Sequence, residues 1–168
     1  GTEADVQELV GLAEPIARAR RAYDERGPAS LAGRDEVFEP ELRRTLAPMS
    51  QLTCVDFPDV DFTNLESLRR CIRDVAPAIV INAAAYTAVY KAETEIALAT
   101  KINADAPGLM AEAAKKLGAT LVHYSTDYVF DGSAPRPYRE DDAAAPLGVY
   151  GASKLAGEQA IRATGVRH

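Results

Sequence analysis

The chain of 168 residues has no tryptophan, two cysteines, two methionines and two histidines, and carries no surplus of basic charge. Each shortage excludes something. Cys54 and Cys71 cannot supply the disulfide framework of a small secreted domain, and the first residues show no basic start followed by an apolar signal core, so a cytoplasmic setting is expected. The apolar runs are too short for the roughly 20 residues of a membrane-spanning helix. A formal charge of -6 with RARR at 18–21 as the basic cluster, followed by Asp24 and Glu25, argues against nucleic acid or an anionic membrane as partner. His/Cys/Asp/Glu groups at metal-ligand spacing are missing as well, so no metal is expected. The first forty residues hold glycine at 1, 11, 27 and 33, with none of the close spacing that cradles a phosphate.

What is present is a globular composition, 47% hydrophobic and 26% charged, at a length suited to one main domain. Residues 2–26 read as a helix: Thr2 and Asp5 form a capping pair, Val6, Leu9, Val10 and Ala13 recur at helical spacing, Pro15 kinks the run and Gly27-Pro28 stops it. Residues 28–38 read as a loop, and Pro40 opens a short helix through Ala47. Thereafter short apolar runs at 52–55, 78–82 and 120–124 alternate with helical patterns near 64–75, 104–117 and 148–163, the signature of βαβ units around a parallel sheet. The expected organisation is α/β, an incomplete Rossmann-like parallel sheet with flanking helices over 41–168, preceded by an added helical segment over 1–40.

Ligands of such sheets bind beyond the carboxyl ends of the strands. Those ends carry Asp56, then Asn82-Ala-Ala-Ala-Tyr-Thr87, then Ser125-Thr126-Asp127. Further on, VYGASKLAGE at 149–158 sets Tyr150 and Lys154 four apart, on one face of a helix. An ammonium beside a phenol favours the phenolate, so the pair predicts a tyrosine of lowered pKa acting as general acid on a carbonyl oxygen, with the Thr126 hydroxyl aimed at the same atom. His123, Cys54 and Cys71 read as packing residues, and Glu140-Asp141-Asp142 as a solvated loop.

The phrases NAAAYT (82–87), YSTDYVF (124–130) and PLGVYGASKLAGE (146–158) closely resemble the dTDP-4-dehydrorhamnose reductase family of extended short-chain dehydrogenase/reductases. The resemblance implies an oxidoreductase that reduces the 4-keto group of dTDP-4-dehydro-L-rhamnose with NADPH or NADH, giving dTDP-L-rhamnose for cell-surface polysaccharide. It implies Tyr150 as proton donor, Lys154 on the nicotinamide ribose and Thr126 on the keto oxygen, with Thr126 and Asp127 binding the nucleotide-sugar. Asp56, Asp61, Phe62, Ala85, Tyr86, Thr87, Tyr150 and Lys154 would bind the cofactor, Asn103 would support a proton relay, and a homodimer is a possible assembly.

Against the family pattern, the sequence shows no first strand and glycine-rich turn, stops at His168 before the C-terminal substrate region, and has Tyr90 where aspartate is usual. The first strand of this sheet order is central, so the expectation is that the strands at 52–55 and 78–82 pair directly or that another segment fills the slot, with the N-terminal helix free to cover a sheet face. A second function class follows from these departures: a non-catalytic truncated relative acting as a binding or assembly module, its cofactor affinity weak.

Overall fold

The computed structural model describes residues 8–11, 44–48, 51–55 and 60–168. Four parallel strands form its sheet: β1 (Glu8–Gly11), β2 (Gln51–Cys54), β3 (Ile79–Asn82) and β4 (Thr120–His123), in the order β2-β1-β3-β4. Around it lie α1 (Leu65–Val75), α2 (Val89–Ala92), α3 (Ile96–Thr100), a π turn (Lys101–Asp105), α4 (Ala106–Leu117), a 3-10 turn (Asp127–Val129) and α5 (Val149–Thr164). Residues 44–46 are helical, inside the short helix expected after Pro40.

The N-terminal helix is corrected at Glu8–Gly11. Those residues are extended and pair on both sides, Glu8 opposite Gln51 and Leu9 opposite Ile79. Of the two alternatives expected for the central slot, direct pairing of its neighbours and filling by another segment, the second holds. The physical reason is competition: helical spacing in 2–26 is a local and weak preference, whereas β2 and β3 each present an unpaired ladder whose N–H and C=O groups need partners. The rest of the span 2–26, the loop at 28–38 and Asp56 lie outside the described residues.

The expected strands and helices after residue 50 are found within a few residues of their positions. Asn64 caps α1 by accepting from the Ser67 N–H at 3.1 Å, and α1 buries Leu68 and Ile72 while Arg70 and Arg73 face water. α4 is held close by its small residues: Ala106, Ala111 and Ala114 are fully buried, and it packs against α1, α5, β3 and β4. The core joins Val60, Leu68, Ile72, Val80, Met110, Leu121 and Ile161, each full burial of such a side chain contributing roughly 1.5–3 kcal/mol. Cys54 and Cys71 are half-buried, Cys71 against this core. The broken helical run between Val89 and Asp105 has no counterpart in the expected pattern.

The break between α1 and β3 holds one strained residue. Ala76 ends α1 in the left-handed conformation (φ 49, ψ 54), where its N–H donates to the Ile72 carbonyl at 2.9 Å. A β-carbon there costs about 1–2 kcal/mol. Ala76 is exposed, so removing its methyl loses no packing. Ala76→Gly is expected to stabilise the chain by about 1 kcal/mol, read as a raised urea midpoint at unchanged m-value; an unchanged or lowered midpoint contradicts this account.

Candidate active site

The loops leaving β3 and β4 meet the first turns of α5. Tyr150, the second residue of α5, lies half-buried with its ring edge-on to Tyr128, centroids 5.4 Å apart at 77°. Thr126 hydrogen-bonds the Tyr150 phenol. Thr126 is held by its own loop, since its Oγ1 accepts from the Tyr128 N–H at 3.2 Å and caps the 3-10 turn. Asp127 is exposed beside it.

Lys154 is only 2% exposed and donates from Nζ to the Tyr124 carbonyl at 2.5 Å. Burial lowers its pKa to about 8, with Glu158 one turn further along α5 acting in the opposite direction. The Tyr150 phenol departs from the expected direction. Burial raises it above 10, the Thr126 bond opposes that shift, and Tyr128 and Asp127 reinforce it. The expectation of a tyrosine lowered by Lys154 treated the pair as exposed neighbours; in the folded chain desolvation dominates and the ammonium is engaged by a backbone carbonyl.

His123 ends β4. Asn82 Oδ1 accepts from the Ala84 N–H at 3.0 Å, which leaves its Nδ2 to face His123 Nδ1 at 2.9 Å. That network assigns the neutral tautomer with the proton on Nε2, a buried atom with no hydrogen-bond partner among the described residues. Burial, and then the charge of Lys154, hold its pKa down at about 4. The packing histidine thus also meets Lys154 electrostatically.

A second buried amide joins the walls. Asn103, in the π turn, accepts from the Tyr86 N–H at 2.7 Å and donates to the Tyr86 carbonyl and to Ser153 Oγ, both at 3.0 Å. Ser153 donates in turn to the Tyr150 carbonyl at 2.8 Å. Close backbone approach permits this. A β-carbon on Gly157 would sit 2.1 Å from the Asn103 carbonyl oxygen, and one on Gly151 2.1 Å from that of Tyr128.

Of the other residues named from sequence, Ala85 and Thr87 are half-buried on the loop after β3. Tyr86 is buried, its hydroxyl on Glu95 Oε2 at 2.8 Å, and Phe62 is buried in the core, so these two side chains are occupied by packing. Asp61 Oδ1 accepts from the Thr63 N–H and hydroxyl at 2.8 and 2.7 Å, forming the turn before α1. Asp142 is not simply solvated: Arg136 grips it at 2.7 and 2.8 Å, the Arg139 N–H adds a third bond at 2.8 Å, and its pKa falls to about 2. Tyr138 stacks on Phe130 at 4.3 Å and donates to Asp131, so the loop over 130–145 is braced from within. Sequence reasoning placed Asn82 at a strand end without reading its contact with His123, and missed Ser153, although a small hydroxyl beside Lys154 was available as a signal.

With this geometry in place, the sequence profile described as RmlD substrate binding domain matches residues 30–168. The chain belongs to the dTDP-4-dehydrorhamnose reductase family. It is 46% identical over 132 residues to a dTDP-4-dehydrorhamnose reductase of Escherichia coli K12, covering 76% of this chain and 44% of that protein. It is 47% identical over 125 residues to the enzyme of Burkholderia thailandensis, covering 74% and 42%. The chain therefore spans under half the length of these reductases. Among solved structures, the Bacillus anthracis reductase in complex with NADP superposes with a TM-score of 0.71 at 31% identity, over 97% of this chain and 50% of that one. A Sulfolobus tokodaii structure gives 0.73 at 31%, over 92% and 51%. The Rossmann-type fold is thus shared over part of the relatives' length. Among the described residues no helix is long and apolar enough to cross a membrane.

The buried lysine makes a pH-dependent prediction. Its folded pKa of about 8 lies below the ordinary 10.5, so between these pH values the unfolded chain holds a proton that the folded chain has released, and stability rises with pH across that window. Below it, burying the ammonium destabilises the fold. Lys154→Met removes that cost, so the stability of the variant relative to the parent is expected to fall by roughly 1–3 kcal/mol between pH 7.5 and pH 10. Urea unfolding of both proteins at the two pH values measures it, and a pH-independent difference refutes it.

Proposed function

We propose that this chain carries the proton-donating half of a nucleotide-sugar reductase site, for reduction of the 4-keto group of dTDP-4-dehydro-L-rhamnose in dTDP-L-rhamnose biosynthesis. The observation that carries the reading is the convergence of a protonated phenol, a hydroxyl bonded to it and a buried ammonium: Tyr150, Thr126 and Lys154. A phenol raised above 10 is fully protonated at pH 7, the state a donor requires. Tyr150 gives its proton to the carbonyl oxygen as that oxygen gains negative charge. Thr126 holds the phenol in place and is near enough to share the oxygen, while Asp127 offers an exposed acceptor for sugar hydroxyls. Lys154, mostly cationic at pH 7, stabilises the phenolate left behind.

NADPH or NADH, when bound, supplies the two electrons of the reduction. The residues present fit such a group on the ribose and nicotinamide side. Lys154 has three N–H donors, of which Tyr124 takes one, leaving others for a ribose diol. Ala85 and Thr87 lie on the loop beyond β3 where a cofactor rests in this sheet topology, with Tyr86 contributing its backbone course. Asp56 and Asp61 complete the proposed cofactor set, whereas the Phe62 side chain is taken up by the core and leaves it. The pyrophosphate side is poorer. β1 ends at Gly11 and the next glycine in sequence is Gly27, so no glycine pair is available at that strand end to bring backbone N–H groups to a phosphate.

Titration of NADPH into the purified chain, followed by cofactor fluorescence, tests the reading. Binding with a Kd of roughly 1 mM, about −4 kcal/mol, is expected, with Lys154→Met weakening it beyond detection. Micromolar binding would locate phosphate donors in the segment between β1 and β2. Equal binding by the parent and Lys154→Met would remove Lys154 from the cofactor site and favour a non-catalytic binding module.

A further inference from the structure

Helix α5 starts on a residue that cannot cap it. Its N-cap is Gly148, which has no side chain to accept from the first exposed N–H groups. The Val149 N–H donates instead to Oε1 of Glu93 at 2.8 Å, across 56 positions of sequence. Glu93 immediately follows α2, in the region that sequence patterning did not resolve.

Gly148 and Glu93 form one arrangement. The backbone at Gly148 is extended, φ −131 and ψ 169, which any residue adopts, so conformation does not explain the glycine. Space does: a β-carbon at 148 would lie 2.9 Å from Glu93 Oε1. The missing side chain leaves room for the remote carboxylate to reach the helix end, where its charge also meets the positive end of the helix dipole. The residue after Val149 is Tyr150. Two positions after Glu93, Glu95 accepts from the Tyr86 hydroxyl, so one short turn addresses both the helix bearing Tyr150 and the loop after β3.

We propose that Glu93 is a positioning residue for Tyr150, fixing the first turn of α5 from outside the helix so that the phenol stays set against Thr126 and Tyr128. It acts through the Val149 amide and not on reacting atoms. The functional part of this inference rests on the reading of Tyr150 as proton donor.

The test uses the full chain with Glu93→Ala, Glu93→Gln, Gly148→Ala and the double variant Glu93→Ala/Gly148→Ala. Two quantities are read: amide hydrogen exchange at residues 149–151, and the Tyr150 phenol titration by difference absorbance against Tyr150→Phe. Among the described residues, the titratable and polar groups that act on that phenol are Asp127, Tyr128 and Thr126, with Lys154 one turn along α5, all unchanged in these variants. Glu93→Ala is expected to speed exchange at 149–151 by about three- to tenfold, in line with loss of a helix cap, and to bring the phenol down toward 10 as water reaches it. Glu93→Gln keeps an oxygen acceptor and should restore parental behaviour in both. Gly148→Ala should reproduce Glu93→Ala by displacing the carboxylate, and should add nothing further once Glu93 is alanine.

A Glu93→Gln chain that behaves like Glu93→Ala would assign the effect to charge and overturn the capping role. Faster exchange with an unshifted Tyr150 titration would overturn the positioning role, and so would equal effects of Gly148→Ala with and without Glu93. The proton-donor reading stands or falls separately, on the cofactor titration, which none of these variants enters.

Discussion

The site depends on a single buried amide that serves three backbone and side-chain partners at once. Asn103 occupies both backbone hydrogen-bonding groups of Tyr86 and still reaches Ser153, so the loop beyond β3 and the helix bearing Tyr150 are fixed to each other through one side chain. Such a bond set leaves little freedom, because a buried polar group without its partner destabilises by about 1–3 kcal/mol. The π turn places Asn103 there by adding a residue to the helical run ahead of α4, a distortion that recurs at functional sites. Gly157 and Gly151 complete the constraint by admitting backbone where any other residue would collide.

Electrostatics then divides the site into unlike halves. A neutral imidazole and a partly desolvated ammonium lie under the sheet end, while a neutral phenol and exposed Asp127 face outward. His123 stays uncharged near neutral pH because burial and Lys154 both oppose its protonation, and this neutrality spares Lys154 a second buried cation. The ordering of charge follows from depth.

Much of this was legible in the sequence. β3 and β4 announce themselves as short apolar runs, α1 and α4 by their helical patterns between them, and α5 by the stretch that sets Tyr150 and Lys154 one turn apart. β1 was not legible, because Glu-Leu-Val-Gly sits within a run of helical spacing and becomes a strand only through neighbours supplied by residues far along the chain. The 89–105 region was missed because its helices are too short for a period to show. The spacing of Tyr150 and Lys154 could be read, but the direction of the phenol shift could not, since depth of burial is a property of the assembled chain.

The position of β1 bears on how the molecule assembles. Among the described residues it comes first in sequence, yet both of its neighbours arise dozens of residues later, after crossovers that parallel pairing requires. During synthesis β1 therefore leaves the ribosome before either of the strands it pairs with, and waits while β2 and then β3 are made. Until it inserts, β2 and β3 expose facing ladders that any extended segment can occupy, the chain's own or a neighbour's. Long-range parallel pairing of this kind makes folding slow, and the interval before the central strand docks is when the nascent chain is most open to aggregation and most dependent on chaperones.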